Sequence, residues 1–437
     1  MARAAPPFVV HSIAFAFEGG SAVPLRNPAT GAFTGDVPEW SARGRRDAAA
    51  YAGGTRPVVR VTFARASNAP RDVPVTWEVS AQGHHGPGIA RRRVDLHFDR
   101  RGLSGPHDFR LDAPLPAGAG QLRPHWHWHA AGHGHRSDYL GTTRHLIYHT
   151  WRPSLGTASW AVRSERAQGP HGRPDQPWVY EPVMKWTCRW AARRRTAKSI
   201  CDGILLHLEE SRMKYAVAAW NVGDMLRKKG GYCGGWYRMF QAMAAAQGVH
   251  IERRSYLVDW RVEAKRESRW CAIVVRHAGL NRPQPVERAS TFHDADVFPR
   301  KEGPVERHHL RRYRFWGHPG HAADGHCINI LRYRGGLHLY DASFRRTSVS
   351  LGDVALPAPS TRRRVPVERL GRFKRNYLDT AVGHMLGSLL HDGRLYRTEH
   401  PDPCHPQFGG KEMRNGLTVR TALIPARDRD ITFYWTT

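Results

Sequence analysis

The sequence lacks long hydrophobic runs and has few cysteines. No uninterrupted apolar stretch approaches the roughly 20 residues that a transmembrane helix requires, so we expect no membrane span. Six cysteines in 437 residues, at irregular spacings and without a Cys-x-x-Cys pair, exclude a disulfide framework and a structural zinc ribbon. The N-terminal stretch shows no clear signal peptide. These absences predict a reducing compartment, cytoplasmic by default, with export by a signal-independent route left open.

Acidic residues are scarce relative to basic ones. The chain has 67 Lys and Arg against 38 Asp and Glu, a formal net charge of +29, and only nine of the basic residues are lysine. The arginines are dispersed, with short clusters at Arg91–Arg93, Arg193–Arg195, Arg311–Arg314 and Arg362–Arg364. Nucleic-acid-binding proteins often concentrate basic residues on one face or tail. A compositional bias therefore explains the charge better than a polyanionic partner, although nucleic acid or an acidic surface stays an alternative.

Aromatic residues are plentiful. The 15 Trp, 14 Tyr and 15 Phe supply enough apolar surface to exclude disorder of the whole chain. The length of 437 residues exceeds one ordinary core and predicts two or three domains.

Residues 1–175 predict a β-sandwich, immunoglobulin-like in fold. Strand-like runs alternate with clusters of turn-forming residues, as in an antiparallel sandwich. The runs include Pro57–Phe63, Pro74–Ser80, Arg93–Phe98 and His145–Trp151. The turn-rich stretch Pro170–Pro177 predicts a linker.

After the linker the spacing of apolar residues changes from that of strands to that of helices, and residues 176–345 predict an α+β domain. Apolar residues recur at helical spacing from Pro182, a second helix is predicted over Ala216–Lys228, and a third begins near Cys233. Residues 251–324 predict an Arg-rich stretch of short strands and loops. Residues 346–437 predict a C-terminal extension packed on the core, with a helix over Phe373–Leu390 and a strand over Asp430–Trp435.

The stretch Gly230–Val249 carries the strongest chemical signal. Trp236, Met239, Phe240 and Met243 form one apolar stripe of a buried helix, and Gly248 is predicted as its C′ residue. Cys233 stands at the beginning of that helix, where the helix dipole lowers the pKa of a thiol and free first-turn amides can stabilise an oxyanion. A buried structural cysteine beside a glycine-rich turn is the alternative.

A second stretch, Gly325–Ser343, predicts a β-hairpin with His326 on one strand and Asp341 after the other. A two-residue turn at Gly335 and Gly336 would pair Ile330 with Asp341 and place Asp341 on the face of His326. In that register the two residues lie roughly 13 Å apart along the strand, too far for a hydrogen bond. A wider loop would set His326 directly opposite Asp341.

Together the two stretches resemble the transglutaminase-like superfamily of papain-like cysteine enzymes, bacterial type. Its members carry a Gly-x-Cys at the start of a core helix, a His opening a strand and an Asp on the next strand, matched here by Cys233, His326 and Asp341. The resemblance covers about residues 178–345. The sequence departs from the family pattern at Ile328 and Ile330, where members often have Trp and Glu. The interval between Cys233 and His326 is also long, which implies an insertion at about residues 251–324.

The resemblance implies a catalytic triad without a cofactor or metal. Cys233 would be the nucleophile, His326 the general base and acid, and Asp341 the residue that orients the imidazole. The chain is thus predicted to be a cysteine protease or acyltransferase that acts on protein or peptide amides through a thioester, as a peptidase, deamidase or transglutaminase. The alternative is a non-catalytic basic protein on a degenerate scaffold that binds nucleic acid or another polyanion.

The histidines at 125–135 allow two interpretations. His125, His127 and His129 alternate with Trp126 and Trp128, so on a strand the three imidazoles share a face and could suit a borderline metal. No cysteine is near, however, and we expect the tryptophans to fill the core while the histidines face water. Trp220 is predicted either to line the cleft beside Cys233 or to belong to the core.

Overall fold

A computed structural model provides the architecture. It describes residues 6–16, 22–35, 37–44, 46–67, 76–132, 138–156, 170, 176–215, 219–231, 233–251, 255–264, 267–270, 272–275, 314–316, 326–342, 348–352, 365–366, 382–389, 420–425 and 431–436. For residues 214, 215, 233, 326 and 349, the strands between 255 and 316, and everything beyond 350, the description is of the backbone. Most of the predicted linker (171–175) and most of the predicted insertion lie outside the described residues.

The chain divides into two compact units. The first comprises Met1–Ile204 and Ala242–His250, and the second comprises Leu205–Gln241 and Ile251–Thr437. In the described residues strands far outnumber helices, so the chain is mostly β. No described helix has the length and apolar character needed to cross a membrane.

Buried and outward-facing side chains alternate along the long central strands of the first unit. In chain order they are β1 (Phe8–Phe15), β2 (Leu25–Arg26), β3 (Trp40–Ser41), β4 (Ala48–Ala52), β5 (Val58–Arg65), β6 (Thr76–His84), β7 (Ile89–Asp95), β8 (His107–Arg110), β9 (Gly120–Leu122), β10 (His125–Ala131), β11 (Asp138–Arg144), β12 (Leu146–Thr150) and β13 (Val179–Tyr180). The predicted strand Arg93–Phe98 is wrong in extent, because β7 begins at Ile89 and ends at Asp95.

Two four-stranded antiparallel sheets of this unit face each other as a β-sandwich. Their strand orders are β3-β1-β5-β8 and β11-β10-β6-β7. Inward-facing side chains of both sheets form one apolar core, in which the ring of Phe8 lies 5.0 Å from Trp77 and that of Phe109 lies 5.9 Å from Trp128. The prediction of a β-sandwich in this part of the chain is thus confirmed, because two antiparallel sheets enclose one core.

Four α-helices occur in the described residues: α1 (Glu181–Trp190), α2 (Ala197–His207), α3 (Val222–Lys228) and α4 (Cys233–Ala246), and a 3-10 helix, Leu208–Ser211, follows α2. Helix α3 begins later than the predicted Ala216, because Asn221 acts as its N-cap and accepts a 2.9 Å hydrogen bond from the Asp224 amide. Helix α4 ends as predicted. Gly248 has φ +73°, and the amides of Gly248 and Val249 donate to Ala245 and Ala244 in a Schellman motif.

The second unit holds the remaining strands. In chain order they are β14 (Lys214–Tyr215), β15 (Gly230–Gly231), β16 (Ser255–Ala264), β17 (Glu267–Trp270), β18 (Ala272–Val275), β19 (Arg314–Trp316), β20 (His326–Tyr333), β21 (Gly336–Tyr340), β22 (Val349–Gly352), β23 (Val365–Pro366), β24 (Val382–Leu389), β25 (Arg420–Pro425) and β26 (Ile431–Thr436). The largest sheet has the order β22-β21-β20-β16-β26-β23, with β17 paired to β16, and a second sheet has the order β19-β18-β24-β25.

One predicted helix of the C-terminal part is wrong. The stretch Phe373–Leu390 was expected to be helical, but its described residues form strand β24, which pairs with β18 on one side and β25 on the other. Hydrogen bonding along both edges outweighs the helical spacing of its apolar residues. The predicted strand Asp430–Trp435 is confirmed as β26, which adds to the large sheet beside β16.

Candidate active site

Cys233 is the first residue of α4. The chain reaches it through β15, which runs parallel to β14. The amides of a first helical turn have no partners within the helix, and the dipole is positive there. The predicted position of Cys233 at a helix N-terminus is therefore confirmed for the backbone.

Glycines allow neighbouring segments to approach the start of α4. A Cβ at Gly235 would lie 2.6 Å from the carbonyl oxygen of Ala219 and 2.8 Å from Sδ of Met225. A Cβ at Gly234 would lie 2.9 Å from Cε3 of Trp220. Only glycine permits these contacts, so the flanking glycines bring the loop before α3, and α3 itself, against the first turn of α4.

Trp220 lies beside that first turn. Its carbonyl oxygen accepts a 2.7 Å hydrogen bond from Nη1 of Arg238, while the residue is 42% exposed. An indole that borders the start of α4 and still faces solvent is not a core residue, so the core alternative for Trp220 is wrong. Its role beside Cys233 stays a prediction.

Helix α4 packs on the hairpin of β20 and β21. The ring of Phe240 stacks on Tyr340 with centroids 5.1 Å apart, and Nδ2 of Asn329 donates a 3.3 Å hydrogen bond to the carbonyl oxygen of Tyr237. Asn329 and Tyr340 are directly opposed in the hairpin, so they share the face that contacts the helix. The helix that begins at Cys233 thus lies on the hairpin that carries His326 and Asp341, against the face of Asn329 and Tyr340. Successive residues of a strand face opposite sides, so His326 occupies a position of the other face of β20.

The hairpin register differs from both predicted registers. Tyr333 pairs with Gly336, so the turn consists of Arg334 and Gly335, whose φ values of +50° and +82° are those of a type I′ turn. Pairing Ile330 with Asp341 was therefore wrong, and the wider loop was also wrong, because Ile330 pairs with Leu339.

The observed register shortens the separation between His326 and Asp341. Continued by one residue, it sets Asp341 opposite Ile328, two residues along β20 from His326. That separation is roughly 7 Å along the strand, about half the value in the predicted register. The distance between the Cys233 sulfur and the His326 ring lies outside the described atoms.

Asp341 follows the last residue of β21 and is fully buried. Because the strand has ended, the alternation of β21 does not dictate the direction of its carboxyl. Ile328 and Ile330, which stand where the superfamily often has Trp and Glu, are also buried. Both isoleucines therefore belong to the apolar core.

Two other cysteines differ from Cys233 in their surroundings. Cys188 and Cys201 are buried free thiols. Burial raises the pKa of Cys188 to about 12 and raises the pKa of Cys201 still further. A neutral buried thiol is unreactive, so neither residue competes as a nucleophile. Cys327 is a partly exposed free thiol on β20.

Sequence reasoning missed Asn329 as the polar link between β20 and α4. It read Ile328 and Ile330 as the informative positions, although an asparagine in an apolar strand is itself a signal of a buried hydrogen bond.

The histidine-bearing strand of the sandwich follows the expected alternation. Trp126 and Trp128 are fully buried, while His125, His127 and His129 reach the surface. Among the described residues no group of three or more His, Cys, Asp or Glu side chains is arranged to hold a metal ion.

Comparison with protein-family models finds none that matches this chain, and no curated protein matches it. The resemblance to the transglutaminase-like superfamily stays a prediction.

Proposed function

We propose that the chain is a cysteine-dependent acyl-transfer enzyme of the transglutaminase-like type, with Cys233, His326 and Asp341 as its triad. One observation carries the proposal: Cys233 is the first residue of the helix that packs on the hairpin carrying the other two residues. The triad requires His326, the first residue of β20, to depart from the strand alternation that directs Asn329 towards α4. A helix N-terminus on an antiparallel sheet is the arrangement that the resemblance implies. The first unit would be the immunoglobulin-like sandwich, which positions substrate or stabilises the enzyme.

The chemistry assigned to each residue follows from its position. His326 takes the Cys233 proton, and the thiolate attacks the carbonyl carbon of a protein or peptide amide. First-turn amides of α4 stabilise the oxyanion of the tetrahedral intermediate. The amine leaves with the proton from His326, and a thioester stays on Cys233. Asp341 holds the imidazole tautomer and stabilises the imidazolium. His326 then takes a proton from water or a second amine, which attacks the thioester, breaks the C–S bond and releases the acid or new amide, leaving Cys233 free.

Thiol labelling provides the primary test. Iodoacetamide near pH 7 is expected to label Cys233 much faster than Cys188 and Cys201, with the modified residues identified by mass spectrometry. His326→Ala should slow the labelling of Cys233 by about a hundredfold or more, because the base is lost. Asp341→Asn should slow it less. Equal labelling of all thiols, or a rate unaffected by His326→Ala, would contradict the proposal.

The acceptor is identified by a product assay. Casein incubated with the protein and a fluorescent primary amine gives a labelled protein if the acceptor is an amine, and released peptides or new glutamate carboxyl groups without label if it is water. Cys233→Ser should abolish every product. If Cys233→Ser keeps salt-sensitive binding to DNA or RNA while wild type shows no turnover, the polyanion-binding alternative replaces the enzyme.

A further inference from the structure

The solvent-facing side of the sandwich sheet β11-β10-β6-β7 carries four clustered imidazoles. The histidine patch consists of His84 and His85 at the end of β6 and of His125 and His127 on β10. His84 and His85 are exposed, and the other two are half-buried. Local sequence spacing relates His125 to His127, and the pairing of β10 with β6 brings His84 and His85 beside them.

Cross-strand pairing brings these rings together in two pairs. His84 and His125 are directly opposed, and the diagonal pair His84 and His127 has ring centroids 4.8 Å apart with planes at 75°. His85 adopts φ +61° immediately after β6, and its ring lies 5.7 Å from that of His125. Zn–N bonds are about 2.0–2.1 Å, so two imidazoles that share an ion lie roughly 5 Å apart between ring centres.

His127 also has the outer hydrogen bond that metal-binding imidazoles usually make. Its Nδ1 lies 3.0 Å from Oγ1 of Thr142 on β11, and that hydroxyl is in turn hydrogen-bonded to the hydroxyl of Tyr139. If Nδ1 donates to Thr142, the proton occupies Nδ1 and the lone pair of Nε2 is free to bind an ion. His84 faces this ring from the neighbouring strand.

We propose that the histidine patch binds a borderline divalent transition-metal ion through the ring nitrogens of His84 and His127, with water completing the coordination. Zinc, nickel and copper(II) are the ions that imidazole ligands suit, whereas magnesium and calcium prefer oxygen ligands. The described residues offer no third protein ligand arranged for the ion, so the site is a two-histidine chelate. It belongs to the first unit and does not depend on the proposed function.

Isothermal titration of the tag-free full chain with Zn²⁺ and Ni²⁺ tests the site, with Mg²⁺ as the ion that should not bind. The measurements are made in wild type and in Cys233→Ser, so that thiolate binding is distinguished from imidazole binding. The double variant His84→Ala/His127→Ala should lose one bound ion per chain. His129→Ala, on the same strand and face but outside the patch, is the matched control and should bind as wild type does.

Two further measurements sharpen the assignment. Thr142→Val should weaken binding at least about tenfold, because the outer hydrogen bond of His127 is lost. X-ray absorption of the zinc-loaded chain should show two imidazole ligands. An unchanged stoichiometry in the double variant, an equal loss in His129→Ala, or no zinc binding by wild type would each overturn the proposal.

Discussion

Nδ2 of Asn329 donates a 3.3 Å hydrogen bond to the carbonyl oxygen of Tyr237, which joins β20 to α4 one turn after Cys233. Both the asparagine and the tyrosine are buried. Oδ1 of Asn329 finds no hydrogen-bond partner within the part of the chain that the structure describes. A polar side chain in this position ties the strand that carries His326 to the helix that begins at Cys233.

Substitutions of Asn329 should therefore show that this contact does not tolerate a negative charge. Asn329→Asp replaces the donor with a carboxylate aimed at a carbonyl oxygen, so we expect a loss of about 3–5 kcal/mol in stability at pH 7. Asn329→Leu removes the hydrogen bond without adding a charge and should cost about 1 kcal/mol. Hydrogen exchange of the α4 amides measures the local effect. Equal protection in the two variants would contradict this reading of the contact.

Two glycines of α4 should differ in their tolerance of alanine. Gly235→Ala places a methyl group 2.6 Å from the backbone oxygen of Ala219, which must displace the start of the helix and should destabilise the protein by about 2 kcal/mol. Gly234→Ala meets the side chain of Trp220, which is 42% exposed and can turn aside. Thermal unfolding and the labelling rate of Cys233 provide the measurements. The expectation fails if Gly234→Ala is the more damaging change.

The buried thiols should resist alkylation in the native protein. The pKa of Cys188 is about 12 because its thiol is desolvated, so at pH 8 only about one thiol in 10⁴ is ionised. The same burial raises the pKa of Cys201. Mass spectrometry after iodoacetamide treatment should find both residues unmodified until urea is added. Modification of either residue at the rate of Cys233 would show that burial does not protect it.

Glu39 should make the sandwich less stable as pH rises towards neutrality. Its carboxylate oxygen Oε2 accepts a 2.7 Å hydrogen bond from the Phe15 amide. Burial, with a smaller contribution from Asp47, raises its pKa from 4.5 to about 7. The folded state thus keeps a proton that the unfolded state releases between pH 4.5 and pH 7. Stability is highest below this window, falls by up to about 3 kcal/mol through it, and stays lower above it.

A matched pair of variants isolates that effect. Glu39→Gln cannot ionise, so its unfolding free energy should change less than that of wild type between pH 5 and about pH 7.5. Glu78→Gln removes a half-exposed carboxyl of β6 that pairs with Arg91 at 3.7 Å and should follow the wild-type profile. Urea unfolding at several pH values gives the comparison. Identical profiles for Glu39→Gln and wild type would rule out the assignment.

Local patterns in the sequence determined several features without help from the fold. The alternation of Trp126 and Trp128 with histidines identified a strand whose tryptophans are buried, because successive side chains of a strand face opposite sides. Gly248 marked the end of α4, since its positive φ is accessible to glycine at little cost. Cys233 was likewise placed at the start of that helix from the glycines before it and the apolar stripe after it.

Only the tertiary structure decided features that depend on partners distant in the chain. The turn at Arg334 and Gly335 sets the hairpin register, because neighbouring glycines allow the turn at either position and the packing of Tyr340 on Phe240 selects one. Strand β24 forms where a helix was predicted, since hydrogen bonds from β18 and β25 satisfy its backbone. His84 meets His127 because β6 pairs with β10, about 40 residues away along the chain. Local spacing in the sequence describes one element at a time, whereas strand register and cross-strand proximity depend on the interaction energy between two elements.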